Sequence, residues 1–118
     1  VGRSMLVGKP LVALSLALNA SVTVCHSRTT NLSEKTMAAD VIFVAAGKPG
    51  LITSEHIKEG AVVIDVGINT STDKKITGDV DFANVSKKAA AITPVPGGVG
   101  PMTVLGLFEN LLDLCRSK

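Results

Sequence analysis

Residues 40–68 read DVIFVAAGKPGLITSEHIKEGAVVIDVGI, and this stretch decides the fold. It opens and closes with apolar runs, 41–46 and 61–68, that lack the alternation of polar and apolar residues. Such runs are typical of parallel strands buried on both faces. Between them, Thr53 or Ser54 provides a helix N-cap and Gly60 a helix stop. The stretch therefore predicts a strand, a helix of one or two turns and a second strand.

The alternation of strands and helices continues outward to both ends of the chain. Before residues 40–68, the sequence predicts a helix over 10–19, a strand over 21–25, and a helix with Thr30 or Asn31 as N-cap and Glu34 in a capping box. After residues 40–68, it predicts a polar loop over 69–82, a short helix over 83–89, a short strand over 90–93, and a closing helix with Pro101 in its first turn. This order predicts an α/β fold, a doubly wound parallel sheet with helices on both faces. Ligands of such sheets bind at the carboxyl ends of the strands.

Composition limits the function classes further. The 118 residues fit one domain, 1–118, and a formal charge of +2 is too small for a nucleic-acid footprint. The longest apolar run, 11–18, is far shorter than the ~20 residues of a membrane span, and no signal-peptide pattern precedes it. Cys25 and Cys115 are isolated, so no metal site is predicted. We expect a cytoplasmic protein that binds neither nucleic acid nor membrane.

The first candidate site is VGRSMLVGKP, residues 1–10. Glycines before a helix let backbone N–H groups approach a phosphate. Five residues separate Gly2 from Gly8 and Pro10 follows Lys9, so the Walker A pattern is absent. A variant dinucleotide loop and an ordinary turn both remain open. Because the chain begins at Val1 within a strand-to-loop junction, we expect the first strand to be truncated.

The second candidate is CHSRTTN, residues 25–31, after the second predicted strand. In a dinucleotide-binding domain this position faces the adenosine ribose, where a carboxylate favours NAD and a hydroxyl or arginine favours NADP. Ser27 and Arg28 stand there without a carboxylate, so the sequence favours NADP. The alternative is that Arg28 is a solvated loop cation and His26 a histidine with local hydrogen bonds.

Three further strand ends carry candidate residues. Small residues in AAGKPG and DVGIN keep a groove open, and the amide of Asn69 could orient a flat ring there. Asp65 lies within an apolar strand, and we interpret it as a structural acid that accepts hydrogen bonds from backbone or hydroxyl donors. In PVPGGVGP, residues 94–101, prolines fix the backbone and glycines leave it bare. We expect this last segment to form a binding wall through main-chain contacts.

Taken in order, VGRSMLVGKP, CHSRT, GAVVIDVGIN, GDVDF and ITPVPGGVGPMT closely resemble the C-terminal NAD(P)-binding domain of the bifunctional methylenetetrahydrofolate dehydrogenase / methenyltetrahydrofolate cyclohydrolase family. The resemblance covers essentially the whole chain and implies a Rossmann-like sheet. It implies cofactor contacts at Gly2, Arg3 and Ser4 for the phosphates, Ser27 and Arg28 for the 2′-phosphate, and Ile68 for the nicotinamide. It also implies a shared folate and nicotinamide pocket lined by Pro96, Gly97, Gly98, Val99 and Gly100.

The resemblance further implies the reaction and the partners. Hydride passes from 5,10-methylenetetrahydrofolate to NADP, and water then opens the methenyl bridge to give 10-formyltetrahydrofolate, in the one-carbon metabolism that serves purine biosynthesis. The family's essential lysine lies in a Tyr-x-x-x-Lys motif of an N-terminal folate domain, and this sequence has no tyrosine. We therefore expect no catalytic residue in this chain and no activity of the chain alone, and the resemblance implies a homodimeric full-length enzyme. The alternative is a non-catalytic nucleotide-binding α/β module.

Overall fold

The computed structural model describes residues 1–70 and 74–117, so part of the predicted polar loop over 69–82 lies outside the described residues. In chain order the elements are α1 (Gly8–Ala17), α2 (Leu32–Met37), β1 (Val41–Val44), a 3₁₀ turn (Ser54–His56), β2 (Val62–Asp65), β3 (Asn69–Thr70), β4 (Ile76–Thr77), α3 (Phe82–Val85), β5 (Ala91–Ile92) and α4 (Val99–Arg116). The predicted α/β order is confirmed from β1 onward, with the small pair β3 and β4 inserted after β2, whereas no strand separates α1 from α2.

The strands that decide the fold pair in parallel. β1 lies beside β2 with Val41 opposite Val62, and β2 lies beside β5 with Val62 opposite Ala91. β3 and β4 form a separate antiparallel pair. Because β1, β2 and β5 run in one direction, the segments that follow them leave the sheet at the same edge.

The hydrophobic core is built by the middle of the chain. Its buried members are Ile42, Val44, Ile52, Ile57, Ala61, Val63, Val80 and Val85. Along β1 and β2, fully buried residues alternate with residues that are half-buried or exposed. The two strands are thus covered completely on one face and partly on the other, where the sequence predicted complete burial on both.

The two longest helices lie outside this core. Neither α1 nor α4 contains a buried residue. α4 begins at Val99, which places Pro101 in its first turn as predicted. None of the helices within residues 1–70 and 74–117 is long and apolar enough to cross a membrane.

Three local predictions are corrected by the structure. Residues 21–25 form no strand, because the carbonyl of Cys25 accepts one bond, from the N–H of Gly2, and no ladder follows. The helix after Thr53 is a single 3₁₀ turn, capped as predicted by the Thr53 side chain together with His56. Asn31 adopts a left-handed conformation with φ of 53°, and its amide donates to the Glu34 side chain rather than closing a capping box.

Candidate functional site

The turn after Val1 is shaped by Gly2 and Ser4. Gly2 has a φ of +121°, and a Cβ there would collide with the carbonyl oxygen of Ala45, so only glycine fits. The Ser4 hydroxyl accepts hydrogen bonds from the N–H groups of Val7 (3.2 Å) and Gly8 (3.3 Å), at the beginning of α1. The side chain of Ser4 is therefore occupied in holding the turn. Arg3 is exposed beside it.

The second turn holds Ser27 and Arg28 at the surface. The N–H of His26 donates to the Thr29 hydroxyl (2.9 Å), and the N–H of Thr29 returns to the His26 carbonyl (2.8 Å). The His26 ring accepts the Arg28 N–H through Nδ1 (3.2 Å), which confirms that its hydrogen bonds are local. Within the described residues, no hydrogen bond or ion pair engages the Ser27 hydroxyl or the Arg28 guanidinium. Both groups are free to bind an anion.

These two turns leave the sheet side by side. The Gly2 N–H donates to the Cys25 carbonyl (2.8 Å), immediately before His26. On the other side, the Ala45 N–H donates to the Val1 carbonyl (2.8 Å), which joins the first turn to the end of β1. Three of the predicted strand-end segments therefore lie next to one another.

Asp79 joins the end of β1 to the end of β2. Its fully buried carboxylate accepts the N–H groups of Ala46 (2.6 Å) and Gly47 (2.8 Å) through Oδ2. Oδ1 accepts the amide of Asn69 (2.7 Å). The donor group of Asn69 is thus used within the protein, and only its amide oxygen remains for a ligand. Ile68, directly before it, is 71% exposed.

Asp65 joins the end of β2 to the segments beyond it. Its buried carboxylate accepts three backbone N–H groups, from Gly67 (2.9 Å), Asp79 (3.1 Å) and Val80 (3.0 Å). The Asp65 N–H donates to the Thr93 hydroxyl (2.8 Å), which fixes the chain just before residue 94. The interpretation of Asp65 as a structural acid is confirmed.

The predicted binding wall is a tight turn that leads into α4. Gly97 has a φ of +100°, and a Cβ on Gly98 would collide with the carbonyl of Pro94. Pro96, Gly97 and Gly100 are exposed, whereas Gly98 and Val99 are half-buried. No neighbouring atom lies within 4 Å of a Cβ built on Gly97 or Gly100. Bare main chain therefore faces open space at these two glycines.

Sequence reasoning missed two residues of this site, Asp79 and Thr93. Their signal is a carboxylate or hydroxyl placed beside buried apolar residues, the same signal that singled out Asp65. Among the residues described, no three His, Cys, Asp or Glu side chains are grouped as metal ligands would be. The site is instead a row of turns at the carboxyl ends of the strands, called here the carboxyl edge of the sheet. In spatial order the turns are residues 26–28, 1–4, 45–47, 67–69 and 94–98.

Among the residues that the structure describes, two groups carry shifted pKa values. Burial lowers the pKa of the Val1 amine, which lies at the beginning of the first turn. The hydrogen bond and charge of Lys58 lower the pKa of Asp40, which lies at the opposite end of β1 and outside this edge.

Comparisons with known proteins agree with this geometry. The family model for the tetrahydrofolate dehydrogenase/cyclohydrolase NAD(P)-binding domain matches residues 1–118. The bifunctional protein FolD of Pelobacter propionicus is 57% identical over 116 residues, which are 98% of this chain and 41% of that protein. The chain thus spans about two fifths of the length of this relative.

Solved structures show the same likeness. The FolD dehydrogenase/cyclohydrolase of Campylobacter jejuni superposes with a TM-score of 0.96 at 51% identity, over 98% of this chain and 41% of that one. The Trypanosoma brucei FolD, solved with NADP cofactor and inhibitor, gives a TM-score of 0.87 at 44% identity, over 94% and 40%. The fold is therefore the Rossmann-like α/β fold of these enzymes, and the chain belongs to the tetrahydrofolate dehydrogenase/cyclohydrolase family as its NAD(P)-binding domain.

Proposed function

We propose that this chain is the cofactor-binding part of an enzyme that oxidises 5,10-methylenetetrahydrofolate with NADP and hydrolyses the product to 10-formyltetrahydrofolate. The hydrogen bond between Gly2 and Cys25 carries the proposal, because it brings the predicted phosphate turn beside the free Ser27 and Arg28 side chains. A guanidinium and a hydroxyl without internal partners suit the 2′-phosphate of NADP. Residues 25–31 contain no carboxylate that would favour a free ribose.

The residues along the edge take the roles that the resemblance implies. Gly2, Arg3 and Ser4 contact the phosphates, Ser4 through its backbone because its hydroxyl already holds the turn. Ile68 packs against the nicotinamide, and Pro96, Gly97, Gly98, Val99 and Gly100 line the pocket that it shares with the folate. NADP, when bound, supplies the hydride acceptor, and this chain supplies its binding and orientation.

The complete reaction needs partners beyond these 118 residues. The folate and the catalytic lysine are held by an N-terminal domain, and the full-length enzyme is a homodimer of the cytoplasm. The 118-residue chain alone binds NADP weakly and does not turn over 5,10-methylenetetrahydrofolate. Turnover by the purified chain at an ordinary enzyme rate would contradict this division of labour.

NADPH fluorescence titration tests the cofactor assignment. Arg28→Glu and Ser27→Asp should each weaken NADPH binding about tenfold or more, because a charge-assisted hydrogen bond to phosphate contributes about 1.5–3 kcal/mol. NADH lacks the 2′-phosphate, so its weaker binding should change little. Arg116→Glu, at the exposed end of α4, makes the same charge change away from the site. Equal NADPH affinity of all four proteins would overturn the assignment.

A further inference from the structure

The side-chain amide of Asn69 is held in one orientation by its neighbours. Its nitrogen donates to Oδ1 of Asp79 (2.7 Å) and, at longer range, to the Thr77 carbonyl (3.5 Å). Turning the amide over would place its oxygen against these two acceptor oxygens, where no hydrogen bond can form. The nitrogen therefore faces Asp79, and the oxygen is directed away from it.

The Asn69 oxygen is open to a ligand. Within the part of the chain that the structure describes, every buried side-chain oxygen or nitrogen has a hydrogen-bond partner. No hydrogen bond among those residues reaches the Asn69 oxygen, so this oxygen is not one of the buried atoms and contacts solvent. An amide oxygen that is fixed in position and has no donor suits a ligand that carries an N–H group.

Asn69 stands beside the residue assigned to the nicotinamide. It directly follows Ile68, which is 71% exposed. Asp79, which binds the Asn69 amide, also accepts two N–H groups from the turn 45–47 (2.6 and 2.8 Å). The Asn69 amide therefore lies between this turn and the turn that contains Ile68, at the carboxyl edge of the sheet.

We propose that the Asn69 oxygen accepts a hydrogen bond from the carboxamide N–H of the nicotinamide, and that Asp79 is the positioning residue that directs this oxygen to the cofactor. The inference rests on the proposed function, since it assigns a contact to the NADP bound there. The carboxamide carries the N–H donors of the nicotinamide, so it is the group that a single acceptor can recognise. This hydrogen bond fixes the rotation of the ring, and thereby the face that receives the hydride.

Cofactor analogues test this contact with the 118-residue chain. Dissociation constants are measured by NMR titration for NADP and for 3-acetylpyridine adenine dinucleotide phosphate, in which a methyl ketone replaces the carboxamide and removes its N–H groups. The chain should bind NADP about fivefold more tightly, the ordinary contribution of one neutral hydrogen bond. Thionicotinamide adenine dinucleotide phosphate keeps the N–H groups and should bind like NADP. Equal affinity for NADP and the acetylpyridine analogue would overturn the proposal.

Two variants identify the acceptor. Asn69→Ala removes the oxygen, so the ratio of the two dissociation constants should fall from about five to about one. Asp79→Asn keeps an oxygen for the N–H groups of the turn 45–47 but directs its own NH₂ group to Asn69. The Asn69 amide then turns over and presents its nitrogen to the cofactor, and the ratio should again fall to about one. The matched control, Asn84→Ala, removes an amide that donates to the Asp81 carboxylate (2.7 Å) on the exposed surface of α3, and should keep the fivefold ratio.

The fragment of NADP that lacks the nicotinamide, 2′-phosphoadenosine diphosphoribose, separates this contact from a purely structural role. Loss of structure would weaken the fragment and both cofactors alike, whereas loss of the contact changes the ratio between the cofactors and leaves the fragment's affinity unchanged. A fivefold ratio that persists in Asn69→Ala or Asp79→Asn would overturn the proposal. If the unsubstituted chain bound neither NADP nor the fragment, the proposed function would be wrong and this contact with it. If it bound both without distinguishing the acetylpyridine analogue, the contact alone would be wrong.

Discussion

The middle of the chain and its two long helices differ in how they use apolar residues. All eight members of the hydrophobic core lie between residues 42 and 85. Neither α1 nor α4 buries a residue. α4 nevertheless exposes large apolar side chains at Met102, Val104, Leu105, Leu107, Phe108, Leu111, Leu112 and Leu114.

This difference shows where the stability of the chain is generated. Apolar surface stabilises a fold only when it leaves water, by about 25 cal/mol per Å². The middle buries its apolar residues and ties its strand ends together through Asp65 and Asp79. The site turns at 45–47 and 67–69 lie in this middle part, and the bonds of Ala45 to Val1 and of Asp65 to Thr93 attach the turns at 1–4 and 94–98 to it. Substitutions in the middle should therefore cost far more stability than the same substitutions in α4.

The largest expected effect is that of Asp65→Asn. An amide has one acceptor oxygen, whereas the carboxylate accepts three buried N–H groups. The amide oxygen can keep the two N–H groups that Oδ1 accepts, but the Val80 N–H loses its acceptor. This orphaned donor at about 2 kcal/mol, and about 1 kcal/mol for the lost charge at each of the two remaining bonds, lower the free energy of unfolding by about 4 kcal/mol. Urea denaturation measures the change. The matched control is Asp113→Asn on the exposed surface of α4, which should change stability by less than about 0.5 kcal/mol. Similar losses of stability at both positions would contradict the expected difference between the middle of the chain and α4.

Two substitutions that remove only apolar atoms, one in the middle of the chain and one in α4, should differ slightly less in their effect on stability. Ile52 is fully buried and Leu107 is 68% exposed. Ile52→Ala should lower the free energy of unfolding by about 3 kcal/mol, since it removes buried methyl groups and leaves a cavity. Leu107→Ala should lie within about 0.5 kcal/mol of the unsubstituted chain. A Leu107→Ala loss close to that of Ile52→Ala would mean that α4 is packed in solution.

Much of this molecule could be predicted from local sequence. The apolar runs of residues 40–68 predicted the parallel pair of β1 and β2, and the rule for strand ends predicted where the candidate turns meet. Asp65 was interpreted correctly because a carboxylate among apolar neighbours requires donors.

The failures have a common cause in long-range partners. Asp79 accepts hydrogen bonds from N–H groups 33 and 32 residues earlier in the chain. The residues next to Asp79 in sequence do not indicate which donors it will meet. Residues 21–25 have the right pattern for a strand, but a strand also needs a neighbour along its length. The pattern around Asp79 and the apolar pattern of residues 21–25 each describe a single segment, whereas a hydrogen-bonded structure depends on two segments that meet.

The smallest expected effect lies at Val1, which precedes α1 in the chain and bonds to the end of β1. Burial lowers the pKa of its amine below the ordinary value of 8.0. Between the lowered pKa and about pH 8, the unfolded chain binds more protons than the folded chain. Stability should therefore rise with pH through this window and become level above it. The rise should be modest, because the amine is only partly buried.

Acetylation of the Val1 amine isolates this effect. It removes the titrating charge and keeps an N–H that can donate to the Phe43 carbonyl. The acetylated chain should be more stable than the free chain at pH 6, and the two should converge near pH 9. Melting curves of both forms across this range isolate the amine, because the two forms differ only there. If the melting temperatures of the two forms differ by the same amount at every pH, the amine is solvated. Such a result would contradict the hydrogen bond from the Val1 amine to the Phe43 carbonyl.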